Sequence, residues 1–240
     1  AYMRDGAMDD NSPWASVPGT TGAPFLGCRR NYHIMMTDGR WNNNTAVAIP
    51  DLNYRDNSTN LTLPNSAPTY GGTAAGIEQT ALYRDTSTNG VNTDTLADWA
   101  FYSWAKPLKT TGFATGTDKI QTPKSYQEAP ATKSFSYGGK TVALEKFWNP
   151  EYNPATWPHM VTYTIGFSTE AVSWKQDFSN SIFNINSPTA QNPFGYDGDF
   201  PGLVTGKKTW PEMNNENRRA LDLWHSALNG RGRFYAVTAA

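Results

Sequence analysis

Apolar residues form strand-like runs at three separated places in this chain. Residues 32–36 are a short apolar run that predicts a buried strand, and 160–166 are a β-branched and aromatic run that ends at a glycine. A third run, 233–237, predicts a last strand near the end of the sequence. Each run is about five to seven residues long, which is the usual length of a strand in a globular domain.

Helical spacing of apolar residues predicts two helices between these strands. Thr95 and Asp98 form a variant of the capping box, so one helix is expected to begin there and to stop before Pro107. Apolar residues also recur with helical spacing over 212–229, and Asn229 followed by glycine is expected to end that helix.

The order strand, helix, strand, helix, strand predicts an α/β fold around a parallel sheet with right-handed crossovers. The stretches between the elements are polar and long, so we interpret them as loop-rich insertions. One of them contains a possible hairpin at Gly138-Gly139. The core elements are expected near 29–39, 95–106, 158–167 and 212–237. The insertions are expected at 42–93, 108–154 and 168–210.

Composition and charge narrow the class of protein. Of 240 residues, 17% are charged and 13% are aromatic, against about 25% charged in an average soluble domain, which suggests a secreted or cell-surface protein. The net charge of −1 and the absence of a basic cluster disfavour nucleic-acid binding. No apolar run approaches the roughly 20 residues of a membrane-spanning helix.

Two residues beside the first strand carry candidate chemistry. Asp38 follows the strand directly and precedes a glycine, at the strand end where open α/β sheets place ligands. It is either a metal ligand or a turn carboxylate that accepts backbone N–H groups. Cys28, the single cysteine, is a thiol whose partner lies elsewhere, a reactive thiol, or a small buried apolar residue at the start of the strand.

Histidines and tryptophans suggest further sites, each with a structural alternative. The three histidines could form a zinc site, but a buried strand, a proline-flanked strand start and a helix favour structural roles: His33, His159 and His225. Trp99 and Trp224 have helical spacing and are expected in the core. The loop tryptophans either stack on sugars, anchor a partner, or pack the insertions onto the domain: Trp41, Trp148, Trp157, Trp174 and Trp210.

Catalysis has little support in the sequence. Cys28 has no histidine at the spacing of a known motif, and no Gly-x-Ser-x-Gly elbow is present. We therefore expect a protein that binds and is not an enzyme.

Four segments in this order resemble the von Willebrand factor A (VWA) domain of type IV pilus tip-associated adhesins, the PilY/PilC-like proteins. They are residues 28–42, 95–102, 153–166 and 222–235. The resemblance implies a Rossmann-like, doubly wound sheet with a metal-ion-dependent adhesion site. It also implies that Asp38, in the sequence Thr37-Asp38-Gly39, is a ligand of Mg²⁺ or Ca²⁺, whose hard character suits carboxylate oxygens.

The other ligands of such a site do not carry over cleanly. The family's first strand ends in Asp-x-Ser-x-Ser, and the 27 residues before Cys28 are too few for the elements that should precede it. Residues 177–181 match that pattern but follow the second strand, in the wrong order. We therefore expect either the C-terminal half of a VWA domain or a divergent domain without the metal. A half-domain exposes the apolar edge of its first strand, so another segment or chain should cover it.

The resemblance implies an extracellular module at a pilus tip that is exported through the periplasm. Its expected partners are pilins or minor pilins, a host or surface receptor, and the polypeptide that covers the sheet edge. The alternatives are a secreted carbohydrate-binding or carbohydrate-active protein that uses loop tryptophans, and a metal-free structural subunit of an extracellular assembly.

Overall fold

The computed structural model describes residues 2–5, 7–37, 48–85, 94–167, 200–210 and 216–237. Five strands lie within these ranges: β1 (Asn31–Thr37), β2 (Thr132–Tyr137), β3 (Lys140–Glu145), β4 (Met160–Gly166) and β5 (Arg231–Ala236). The helices in the same ranges are α1 (Tyr2–Asp5), α2 (Ala74–Thr80), α3 (Leu96–Ala105), α4 (Lys124–Gln127), α5 (Phe200–Val204) and α6 (Glu216–Asn229). Short 3₁₀ turns cover Leu52–Tyr54 and Ala81–Tyr83.

The central sheet is parallel, as the sequence predicts, with the strand order β1-β4-β5. Strand β1 pairs with β4 in continuous register from Asn31 opposite Met160 to Thr37 opposite Gly166. Strands β2 and β3 form a separate antiparallel hairpin. Its two-residue turn is Gly138-Gly139, where both glycines have positive φ, so the predicted hairpin is confirmed.

Helices α3 and α6 pack against each other and against one face of the sheet. The capping box predicted for α3 is present, because Thr95 and Asp98 each accept the backbone N–H of the other. The Thr164 hydroxyl of β4 donates to the Leu223 carbonyl of α6 at 2.6 Å, which fixes the buried face of the strand. This layer therefore buries the side of β4 that carries Thr164.

The tight turn between α6 and β5 depends on glycine. Gly230 and Gly232 flank Arg231, whose φ of 57° is left-handed. A Cβ on Gly232 would lie 2.0 Å from the Thr162 carbonyl oxygen of β4, so the two strands approach too closely for any other residue. The turn directs the Arg231 side chain into the core, with its guanidinium carbon 4.0 Å from the ring centre of Tyr83.

The prediction that β1 is buried was wrong, and one predicted insertion contains a helix. Strand β1 is mainly exposed, although its apolar run predicts a buried strand, because β1 is the edge strand of the described sheet and one of its faces has no covering layer. The polar stretch 42–93 contains α2, which begins at the Thr73 cap. This helix has seven residues and includes Gly76 and only one large apolar residue, Ile77, so its sequence lacks the apolar period that would have predicted it.

Candidate functional site

The carboxyl ends of the three parallel strands lie at one edge of the sheet, at Thr37, Gly166 and Ala236. Asp38, the predicted metal ligand, lies outside the described residues, and so does the segment 177–181. Within the part of the chain that the structure describes, no group of three or more His, Cys, Asp or Glu side chains could hold a metal ion. The role of Asp38 as a metal ligand remains a prediction.

Apolar side chains cover the face of the sheet opposite α3 and α6. We call this surface the open sheet face, and it consists of Tyr32, Ile34, Met36, Tyr163, Ile165 and Tyr235. Ile34 is 61% exposed and Met36 60% exposed, values that are unusual for large apolar residues of a parallel sheet. Parallel sheets occur almost only with both faces covered.

Strand register shows that these side chains form one continuous surface. Ile34 lies opposite Tyr163, and Met36 lies opposite Ile165, which in turn lies opposite Tyr235. Because successive side chains of a strand point to opposite faces, these residues share the face that Thr164 does not. Strand β1 is also paired on one side alone within the described sheet, so both its outer edge and its apolar face are available.

A buried carboxylate network connects the start of α3 to the rest of the molecule. The Asp222 carboxylate, on α6, accepts the backbone N–H groups of Leu96 at 2.8 Å and Ala97 at 3.1 Å. Asp98 accepts the N–H of Asp56 at 3.1 Å in addition to its capping bond. Burial raises the pKa of Asp98 to about 8, with a smaller contribution from the charge of Asp85, and burial raises the pKa of Asp222 to about 7.

Asp56 extends this network to the end of α6. One Asp56 oxygen accepts the Asn229 side-chain N–H at 2.8 Å, and burial is the main reason that the pKa of Asp56 is raised well above its ordinary value. His225 donates from Nε2 to the Tyr83 carbonyl at 2.7 Å and stacks on Trp210. These bonds hold α6, and therefore the turn into β5, in a fixed position. Sequence reasoning identified Asp98 as a capping residue and missed the other acids, which are distant in sequence.

The histidines occupy three separate environments. His159 donates from Nδ1 to the Trp157 carbonyl at 2.6 Å and accepts from the Asn153 amide at 2.7 Å. Burial lowers the pKa of His159 to about 4 and that of His225 to about 3. The structural roles predicted for these two are confirmed. His33 is exposed on β1, so the prediction that it is buried was wrong, because β1 is the edge strand of the described sheet.

Most of the described tryptophans are core residues. Trp148, Trp157, Trp210 and Trp224 are each 2% exposed or less, which confirms the packing alternative for the three that lie in loops. A fully buried indole cannot stack on a sugar, so these residues do not support carbohydrate binding. Trp99 is half-buried beside Tyr102, and Trp41 and Trp174 lie outside the described residues.

Cys28 is exposed three residues before β1. The interpretation of this residue as a small buried apolar side chain was therefore wrong. The preceding Gly27 is buried and the chain turns there, so the thiol points away from the packed side. Among the described helices, none is long and apolar enough to cross a membrane.

Comparisons with known proteins connect the chain to type IV pili. It is 33% identical over 229 residues to "Type IV pilus biogenesis factor PilY1" of Pseudomonas aeruginosa strain PAK, covering 95% of this chain and 16% of that protein. The PilY1 of strain PAO1 is 34% identical over the same length and coverage. That of strain UCBPP-PA14 is 30% identical over 88% of this chain and 14% of its own length.

No family model and no solved structure matches the chain. The VWA resemblance therefore rests on the sequence segments and on a parallel sheet that is consistent with a Rossmann-like fold. The chain spans about a sixth of the length of the curated relatives that it matches. Over nearly its whole length, the chain is homologous to a segment of the type IV pilus biogenesis factors named PilY1.

Proposed function

We propose that this chain is a binding module of a larger type IV pilus biogenesis factor, and that further polypeptide of that factor covers its open sheet face. The observation that carries the proposal is the apolar surface formed by Tyr32, Ile34 and Met36 with β4 and β5. Homology to a sixth of each PilY1 protein is consistent with a module of a longer chain.

The energetics favour a covering layer. Burying a large apolar side chain stabilises a protein by about 1.5–3 kcal/mol, and Ile34, Met36 and Tyr32 are each more than half exposed. A strand that adds to the outer edge of β1 would also pair its free backbone groups. A parallel strand with an amphipathic helix satisfies both needs, because the helix covers the face that the strand extends.

The wider role that we propose is non-catalytic adhesion and pilus assembly at the bacterial surface, at the pilus tip. Its partners would be pilins or minor pilins and a surface receptor. The described buried acids and His225 have structural roles, because their hydrogen bonds hold α3, α6 and the neighbouring loops together.

Cation dependence through Asp38 is a separate and finer proposal. Isothermal titration calorimetry with Mg²⁺ and with Ca²⁺ tests it directly on the chain and on Asp38→Ala. Saturable heat that the substitution removes supports a cation site. If neither ion binds, or if Asp38→Ala binds both equally well, Asp38 is a turn residue.

A matched pair of substitutions tests the open sheet face. Ile34→Asp places a charge on the open sheet face, and Val17→Asp places the same charge on a residue of similar exposure, 56%, in a loop outside the sheet. Both are introduced into the natural protein in a bacterium whose type IV pili depend on it, and sheared surface pilin is quantified. We expect Ile34→Asp to lose most surface pili and Val17→Asp to keep them. Equal piliation in the two strains contradicts the proposal.

A further inference from the structure

A pocket of about 150 Å³ lies at the amino-terminal end of the parallel strands, on the open sheet face. Tyr32 of β1, Tyr163 of β4 and Arg233 of β5 form part of its wall. This end of the strands is opposite to the edge at which Asp38 is predicted to act. The pocket is therefore a different site from any cation site at the carboxyl ends.

Positive charge dominates this pocket, which we call the arginine pocket. Arg30, Arg231 and Arg233 all line it, and Glu151 is the one carboxylate among its lining residues. Glu151 is already paired, because Lys133 Nζ lies 2.5 Å from one of its oxygens. In the described part of the chain, none of the three arginines has a carboxylate within ion-pair distance.

The guanidinium of Arg231 lies in the core and not on the open sheet face, although the residue lines the pocket. Its guanidinium nitrogens are buried and have no hydrogen-bond partner among the described residues. The guanidinium carbon lies 4.0 Å from the ring centre of Tyr83 and 4.3 Å from that of Trp104, so the guanidinium contacts two aromatic rings of the core. Arg30 and Arg233, which are exposed, are therefore the residues whose charge an anion in this pocket would meet directly.

The positive charges near the pocket also affect His159. Its ring is bonded to Asn153, which also lines the pocket. Burial is the main cause of its lowered pKa, and the charges of Arg30 and Arg231 lower that pKa further. Two of the three arginines therefore act together on one point beside the pocket.

We infer that the arginine pocket receives an acidic side chain, Asp or Glu, from the polypeptide that covers the open sheet face. A carboxylate can accept two parallel N–H bonds from one guanidinium, and 150 Å³ accommodates a carboxylate with its first methylene groups. Arg233 is exposed and lines the pocket, so its guanidinium can make such a fork. The inference rests on the proposed function for the source of the acid, whereas the carboxylate chemistry rests on the pocket alone.

Nuclear magnetic resonance of the arginine Nε–Hε groups tests whether the pocket of the isolated chain binds a carboxylate. The probe is N-acetylglutamate N-methylamide, and its neutral control is N-acetylglutamine N-methylamide. We expect saturable shifts of the Arg30 and Arg233 signals with the acid and none with the amide. Arg233→Met should weaken binding by roughly tenfold, because it removes charge-assisted hydrogen bonds. Lys119→Met, which removes an equal charge from an exposed loop, should leave the affinity unchanged.

Three results would overturn the inference. The first is that the acid and the amide shift the same signals equally, and the second is that Arg233→Met binds the acid as well as the parent chain does. The third is that inorganic phosphate binds more than tenfold more tightly than the acid, in which case the pocket serves a free anion. Each result excludes a protein carboxylate as the ligand that this pocket selects.

Measurements of surface piliation in two variants distinguish a wrong assignment of the pocket's ligand from a wrong proposed function. Arg233→Glu in the natural protein should lower surface piliation, because it repels the incoming acid. If Ile34→Asp abolishes pili and Arg233→Glu does not, the inference fails and the proposed function stands. If Ile34→Asp leaves piliation normal, the proposed function fails whatever the pocket binds.

Discussion

Replacing Gly232 with alanine tests the strand junction on which the arginine pocket depends. The added Cβ would lie 2.0 Å from the Thr162 carbonyl oxygen and 2.7 Å from its carbon, and both are backbone atoms. Side-chain rotation cannot relieve this overlap. Strands β4 and β5 must separate until the Cβ reaches an ordinary contact of about 3.4 Å.

The expected cost follows from that displacement. Moving β5 by more than an ångström breaks backbone bonds such as the one from Thr162 N–H to the Gly230 carbonyl, at 3.2 Å. Overpacking of this kind costs about 1–3 kcal/mol and sometimes more, and each lost buried hydrogen bond adds about 1 kcal/mol. The smaller entropy of the unfolded alanine chain offsets about 0.4–1 kcal/mol. We expect Gly232→Ala to lower the free energy of unfolding by about 3 kcal/mol.

Urea denaturation followed by tryptophan fluorescence measures this change. The control is Gly139→Ala in the β2–β3 turn, where φ is 77° and a Cβ would meet no atom within 4 Å. That substitution should cost only about 1–2 kcal/mol for the left-handed backbone. If Gly232→Ala is no more destabilising than Gly139→Ala, the close approach of β4 and β5 is wrong, and so is the placement of Arg231.

The buried titratable groups predict two opposite pH profiles for the difference in unfolding free energy between the parent chain and a variant. His159 has a pKa of about 4 in the folded chain and 6.5 ordinarily. The free energy of unfolding of the parent chain should therefore fall by up to about 3 kcal/mol as the pH falls from 6.5 to 4. His159→Gln should lack that loss. Asp98 has a pKa raised to about 8 from 3.8, so its protonated form stabilises the fold at low pH. The advantage of the parent over Asp98→Asn should therefore shrink between pH 4 and pH 8. Urea titrations across this range check both profiles, and a pH-independent difference for either variant contradicts the assigned environment.

Local signals in the sequence predicted the regular core well. The capping box at Thr95 and Asp98, the glycine pair of the hairpin, and the β-branched run of β4 each determine their element through neighbouring residues. Their effects are local, so they can be read without knowing the fold.

Burial and the acid network depend on contacts that the sequence does not display. An apolar run has the same composition whether or not a layer covers it, so β1 could not be recognised as exposed. The Asp222 cap joins α6 to α3 across 126 positions. The sequence did not indicate that the Arg231 side chain is buried, because a left-handed residue between two glycines usually lies in a surface turn.

Hydroxyl-radical footprinting of the open sheet face tests the central claim most directly. The 240-residue chain and the natural protein that contains it are oxidised in parallel, and modification of Tyr32, Ile34 and Met36 is compared with that of the exposed controls Val17 and Leu52. We expect the three β1 residues to be modified readily in the chain and strongly protected in the natural protein, with both controls unchanged. Equal modification of β1 in the two samples would show that nothing covers this face, and would contradict the account.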